Sequence, residues 1–155
     1  MEEARRAQDD LVIDPWGSAQ STDYDRIIDR FGLTSMEGVQ LDSPSKLHRR
    51  GIVFAHRDVD QILEAQRTGA PFGVLTGLMP SGQMHLGHSM VVEQARWFQQ
   101  QGGDVTIAVA DLESQATRGV SLAKGRTVAL EEYISHYAAL GLDPAKTCLL
   151  YTSDA

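Results

Sequence analysis

Phe72-Gly-Val-Leu-Thr-Gly-Leu-Met-Pro-Ser-Gly-Gln-Met-His-Leu-Gly-His88 is the stretch from which the fold can be read. Phe72 to Thr76 is a short apolar run of the kind that forms a buried strand. Gly77-Leu-Met-Pro-Ser-Gly82 is rich in turn formers. From about His85 to Gln101 the apolar residues return at helical spacing, with Leu86, Met90, Val91, Ala95 and Phe98 on one face, and Gly102-Gly103 stops the helix. Val105-Thr-Ile-Ala-Val-Ala110 follows without polar interruption, as expected of a parallel strand covered on both faces.

Outward from this unit the pattern continues. Asp58 can cap a helix whose apolar face is Val59, Ile62 and Leu63, ended by Gly69 and Pro71. Ser121 can cap another with Ala123, Thr127, Leu130, Ile134 and Tyr137 in line, closed by Gly141 and Pro144. Strand, helix, strand, helix is the repeat of an α/β doubly wound parallel sheet. Residues 1–48 form a mostly irregular and helical amino-terminal extension: Met1 to Asp10 is charged and aperiodic, Tyr24 to Phe31 has helical spacing up to Gly32, and Thr34 to Lys46 reads as a connector. The compact domain is expected over 49–147.

Composition narrows the class. The chain has 155 residues and a net charge of −7, which excludes a generally basic nucleic-acid coat while leaving room for a local patch such as Lys46-Leu-His-Arg-Arg50. One cysteine excludes a disulfide framework and a thiolate zinc cage. No apolar run approaches a membrane span, so a soluble, cytoplasmic domain without membrane attachment is the expectation.

In open α/β sheets ligands lie beyond the carboxyl ends of the strands. That rule selects Gly77 to His88 and Asp111 to Glu113 before any motif is named. Pro80 and Gly82 shape a tight turn, and first-turn N–H groups at the positive end of a helix suit a phosphate. Gly87 has no Cβ, so a flat ring can lie on the backbone there. His85 and His88, three apart, share a face of the first turn and can donate hydrogen bonds to phosphate oxygens as charge develops. A His-x-x-His pair can also hold a metal, but no third ligand stands nearby.

His85-Leu-Gly-His88 resembles the HIGH signature of class I aminoacyl-tRNA synthetases, and the longer Thr76 to His88 resembles their tryptophanyl/tyrosyl subgroup. Asp14-Pro-Trp-Gly17, Asp23-Tyr-Asp25 and Phe31-Gly32 are similar to the extension of the archaeal/eukaryotic tryptophanyl branch; Arg50 to Asp58 resembles the segment that follows it, and Ala108 to Glu113, Ala129 to Ile134 and Leu140 to Pro144 resemble the archaeal members. The resemblance runs from about Val12 to Thr147. It implies the first half of a Rossmann-like catalytic domain that joins L-tryptophan to ATP and then to tRNA(Trp), in a cytoplasmic homodimer when full length. By the same resemblance His85 and His88 contact the ATP phosphates, and Gly87 packs under adenine. Gly77, Pro80, Ser81 and Gly82 form the nucleotide turn, Mg²⁺ accompanies ATP, and Glu113, with Asp111 and Leu75 nearby, meets the amino acid.

Two departures matter. Some relatives read the indole with a Tyr and a Gln where Leu75 and Ala108 stand here. That leaves a tyrosyl enzyme or a small-molecule adenylyltransferase open, and a non-catalytic nucleotide- or RNA-binding paralogue as another class. The subgroup's KMSKS-like loop does not occur, so an amino-terminal fragment is expected. The last eight residues, Cys148-Leu-Leu-Tyr-Thr-Ser-Asp-Ala155, are also the in-frame translation of a transposase sequencing adapter (TGT CTC TTA TAC ACA TCT GAC GCT), which places the end of native sequence near Thr147.

Overall fold

A computed structural model describes residues 24–154. The stretches Met1 to Asp10 and Asp14-Pro-Trp-Gly17 lie outside the described residues. The chain divides into two compact units, one of Met1–Val39 with Phe54–Arg57, the other of Gln40–Val53 with Asp58–Ala155.

In the first unit α1 (Tyr24–Phe31) covers the predicted helix and stops at Gly32, whose φ of 57° is left-handed. Two very short strands, β1 (Thr34–Ser35) and β2 (Ala55–His56), pair antiparallel with Thr34 opposite His56. The sequence reading left the first of these in a connector. Tyr24 packs on Phe54 with ring centroids 4.5 Å apart, and the Arg57 guanidinium donates to the Phe31 carbonyl at 2.7 Å.

The second unit holds α2 (Lys46–Arg49), α3 (Val59–Thr68), β3 (Gly73–Leu78), α4 (Leu86–Gln100), β4 (Asp104–Val109) and α5 (Asp111–Arg118). Then come α6 (Leu122–Val128), a π-helix (Ala129–Ile134), α7 (Ser135–Ala139) and β5 (Thr147–Tyr151). The three strands form a parallel sheet in the order β3-β4-β5, with Gly77 opposite Ala108 and Ala108 opposite Leu150. β5 takes in Cys148 to Tyr151.

One sheet face carries the core. Val105, Ile107 and Val109 are buried there with Leu78, against Val92 and Ala95 of α4, Tyr133, Tyr137 and Leu142. The opposite face is not sealed: Leu75 is 73% exposed, Thr106 and Ala108 are half-buried, and Leu150 is exposed. β4 therefore alternates, against the expectation of cover on both faces, with Val105, Ile107 and Val109 on the helix-backed side and Thr106 and Ala108 on the other.

Three local expectations change. Asp58 stands before α3, but with φ 57° and no capping bond from its carboxylate. On α4 the buried side chains are Val92, Ala95, Trp97 and Gln99, while Leu86 is 79% exposed. The single helix expected after Ser121 contains a π-turn, and its buried line is Gly125, Ala129, Tyr133 and Tyr137 rather than Ala123, Thr127 and Leu130. Four residues overshoot one turn of an α-helix by about 40°. The wider π-turn takes back part of that drift and keeps a four-residue spacing on one face.

Candidate active site

β3 delivers the chain into the turn Met79 to Gly82 at its carboxyl end, as the strand-end rule requires. The turn closes on itself, the Ser81 N–H donating to the Met79 carbonyl at 2.8 Å. It is also gripped from outside. Pro80 is buried, and its carbonyl accepts from the Ser114 hydroxyl at 3.1 Å. The Tyr133 phenol, 54 residues away, donates to the Met79 carbonyl at 2.9 Å. α6 packs here too: Gly125 is buried, and a Cβ there would stand in ordinary contact, 3.8 Å from both Pro80 and Asp111. Ser81, Gly82 and Gly77 remain exposed.

α4 begins with His85 at its N-cap, and the two histidines build a capping box. His85 Nδ1 accepts from the Gly87 N–H at 3.2 Å, and His88 Nδ1 accepts from the His85 N–H at 3.2 Å. The rings lie 4.0 Å apart. A ring nitrogen that accepts a hydrogen bond carries no proton, so the neutral imidazoles keep theirs on Nε2. Each ring thus has one Nε2–H donor left. The first-turn amides are less available than the sequence suggested: Gly87 serves His85 Nδ1, and the His88 N–H goes to the His85 carbonyl at 2.9 Å. Imidazole, more than amide, is what this helix start offers an anion.

His85 is exposed and His88 half-buried, its ring 5.6 Å from that of Tyr133. Burial lowers the His88 pKa below its ordinary value, and the neighbouring His85 charge lowers it further. Gly87 does receive a flat ring, that of His85 itself: a Cβ would meet its Cε1 and Nδ1 at 3.0 and 3.1 Å. At Gly82 a Cβ would meet nothing within 4 Å.

At the end of β4, Asp111 has no exposed surface. Its carboxylate accepts from the Leu112 N–H at 3.0 Å, the Thr152 hydroxyl at 2.9 Å, and both the N–H and hydroxyl of Ser153. Burial pushes its pKa up, but these bonds outweigh burial and leave it below the usual value. The Thr152 and Ser153 partners lie in the stretch that also reads as adapter translation, and within the preceding sequence the Leu112 N–H is the donor to this carboxylate. Glu113, two residues on in α5, is exposed. Leu75 and Ala108 fall on the same, less covered face of the sheet, since Leu75 pairs with Thr106 two residues before Ala108.

Tyr133 and Ser114 are the two contributors that sequence reasoning missed. Each acts on residues distant in the chain, and only the four-residue spacing Tyr133/Tyr137 could have marked the former. A cavity of about 640 Å³ lies elsewhere, by the carboxyl-terminal half of α4, lined among others by Ser43, Lys46, Arg49, Arg96 and Trp97. None of the motif residues borders it. Among the described residues no three His, Cys, Asp or Glu side chains gather to hold a metal ion, and no helix is long and apolar enough to cross a membrane.

Comparison with known proteins gives a consistent picture. The family model described as tRNA synthetases class I (W and Y) matches residues 67–155. The tryptophan–tRNA ligase of Methanosarcina acetivorans is 45% identical over 137 residues, which cover 87% of this chain and 31% of that protein. The crystal structure of tryptophanyl-tRNA synthetase from Aeropyrum pernix superposes with a TM-score of 0.79 at 42% identity, covering 92% of this chain and 41% of the other. That from Trypanosoma brucei gives 0.75 at 29% identity, covering 84% and 43%. The chain spans less than half the length of each of these relatives.

Proposed function

The chain belongs to the class I tRNA synthetases for tryptophan and tyrosine, and from that premise we propose that it is the ATP-binding, amino-terminal part of a tryptophan–tRNA ligase. Residues 1–48 are the extension and 49–147 the first half of the catalytic domain. The observation that carries the reading is the box at the start of α4, which locks two imidazoles as Nε2–H donors at the carboxyl end of a parallel strand.

The tryptophan carboxylate attacks the α-phosphorus of ATP. The bond to the bridging oxygen breaks and pyrophosphate leaves. No protein nucleophile takes part, so positioned donors are what the reaction needs. His85 and His88 supply them to the phosphates. Pro80, Ser81 and Gly82 hold the turn that the phosphates pass, and exposed Gly77 lets the nucleotide reach the strand end. Gly87 packs under adenine. Exposed Glu113 offers its charge to the α-amino group, and Leu75 lines the amino-acid side of the sheet. Asp111 stands nearby at the end of β4, on the amino-acid side of the nucleotide. Mg²⁺ comes with ATP, held by phosphate oxygens and water.

In its second step the full-length, dimeric enzyme passes the aminoacyl group to tRNA(Trp) in the cytoplasm. Tryptophan is favoured over tyrosine because the relatives at 43–46% identity bear the name tryptophan–tRNA ligase. Cys148 to Ala155 read as adapter translation, and resequencing past the Thr147 codon tests that.

The deciding experiment is amino-acid-dependent pyrophosphate exchange by the full-length protein with each of the twenty amino acids. Exchange with tryptophan alone is expected. Exchange with tyrosine moves the protein to the other branch, and ATP binding without exchange makes it a binding paralogue. Residues 1–155 alone are expected to form no adenylate.

A further inference from the structure

The π-turn Ala129–Ile134 is the one irregular winding in the helical run that follows Ser121, and it sets Tyr133 into the candidate site. Single π-turns recur where a side chain must be aimed at a site. Here the aimed group is a phenol with 1% of its surface exposed. Its O–H donates to the Met79 carbonyl at 2.9 Å. The phenol therefore ties the turn at Met79, on the same carbonyl that accepts from the Ser81 N–H at 2.8 Å. The ring does a second job, lying 5.6 Å from His88 at an angle of 54° and backed by Tyr137 at 6.4 Å.

We infer that Tyr133 is a positioning residue for adenylate formation: its hydroxyl fixes the Pro80-Ser81-Gly82 phosphate turn while its ring sets the place of His88. The inference rests on the ATP-binding reading above and adds to it a residue outside the motif. The chemistry of the phenol suits the task. It carries a donor on a rigid ring, which reaches the Met79 carbonyl and so the start of the turn. Burial holds its pKa above the ordinary value, so the phenol keeps the proton it donates. Phenylalanine keeps the ring and loses the tie; leucine loses both.

The test uses the full-length protein with Tyr133→Phe, Tyr133→Leu and His88→Ala. In tryptophan-dependent pyrophosphate exchange Tyr133→Phe is expected to lower kcat roughly 10- to 100-fold, as displacement of a positioned group does, with KM for tryptophan within twofold of wild type. Tyr133→Leu lowers it further. Amide hydrogen exchange at Ser81 and Gly82 is expected to quicken in Tyr133→Phe, and the slowing that ATP causes there in wild type to be lost. A kcat within twofold of wild type in Tyr133→Phe, while His88→Ala loses activity, overturns the inference and leaves the functional reading standing. A rise in KM for tryptophan at constant kcat also overturns it, since the residue would then serve amino-acid binding. If wild type exchanges with no amino acid, the functional reading falls; the amide arm then decides, with ATP-dependent protection of Ser81 and Gly82 that needs the Tyr133 hydroxyl supporting the inference and its absence defeating it.

Discussion

The chain enters α2 at Ser45 and α4 at His85 through the same local device. In both, the N-cap side chain accepts from the first turn, and a histidine three residues on returns its Nδ1 to the N-cap N–H at 3.2 Å, His48 in one and His88 in the other. The surroundings differ. His48 lies 4.5 Å from the indole of Trp97, whose N–H donates to the Ser43 carbonyl at 2.6 Å. His88 stands between exposed His85 and buried Tyr133, beside a turn held by side chains from two later segments. Capping explains why a histidine occupies each position. What each ring stands against decides whether it can do more: the packed wall of the Trp97 indole in the first case, a second imidazole near the end of a parallel strand in the second.

The comparison breaks most visibly at Trp97. Trp97→Ala removes the packed wall, and should cost about 3–5 kcal/mol in urea unfolding, as loss of a buried large aromatic does. The box at His85 should survive, so the amide exchange of Gly87 should stay as it is under native conditions. Loss of protection at Gly87 in that variant would mean the two helix starts are not independent. Next comes His88→Ala in the full-length protein, expected to lose about 10²–10³ in adenylate formation with near-normal tryptophan binding. The parallel change His48→Ala should cost about 1 kcal/mol, the worth of a cap, and leave kcat alone. Equal loss of activity in both would reduce His88 to a cap.

Much of this contrast could be read before the structure was seen, and the unread part shares one cause. The β-branched run Val105 to Val109 announced a strand, and Gly102, with φ 103°, stopped α4 as expected. Both signals are local. The buried faces of the helices were misjudged, because burial depends on where the sheet lies. Leu86 and Leu130 are apolar in sequence yet exposed, while Gln99 is buried and polar. Gln99 binds the return loop through the Asp143 and Lys146 carbonyls, the Thr147 hydroxyl and the Asp143 N–H, at 2.7 to 3.2 Å. No pattern within a single helix encodes such a partner. The site divides the same way: His85, Gly87 and His88 are contiguous and were legible, whereas Tyr133 and Ser114 act across 54 and 34 residues. The pair β1 and β2 was too short to leave a pattern.

A smaller effect is expected at Gly87. A methyl group there would press on the His85 ring at 3.0–3.1 Å, closer than most Cβ contacts, so the ring must yield by a few tenths of an ångström. Gly87→Ala should therefore lower kcat of the full-length protein by roughly three- to tenfold, with a changed His85 ring environment in proton spectra. An unchanged spectrum with lowered activity would place the glycine's role with adenine rather than with His85.

The smallest difference is one of protonation, and it separates the two histidines by cause. Burial lowers the pKa of His48, while burial and then the His85 charge lower that of His88. In both cases the unfolded chain takes up protons first as pH falls below about 6.5. Stability from each ring is therefore complete above that value and is lost as pH falls through the lower folded value. The unfolding midpoint of the chain should fall between pH 7.5 and 5.5, and less steeply in His48→Gln and in His88→Gln. His85→Gln should relieve His88 alone, because only His88 has a second imidazole beside it. A slope that His85→Gln leaves untouched would remove the coupling and make His88, like His48, a matter of burial only.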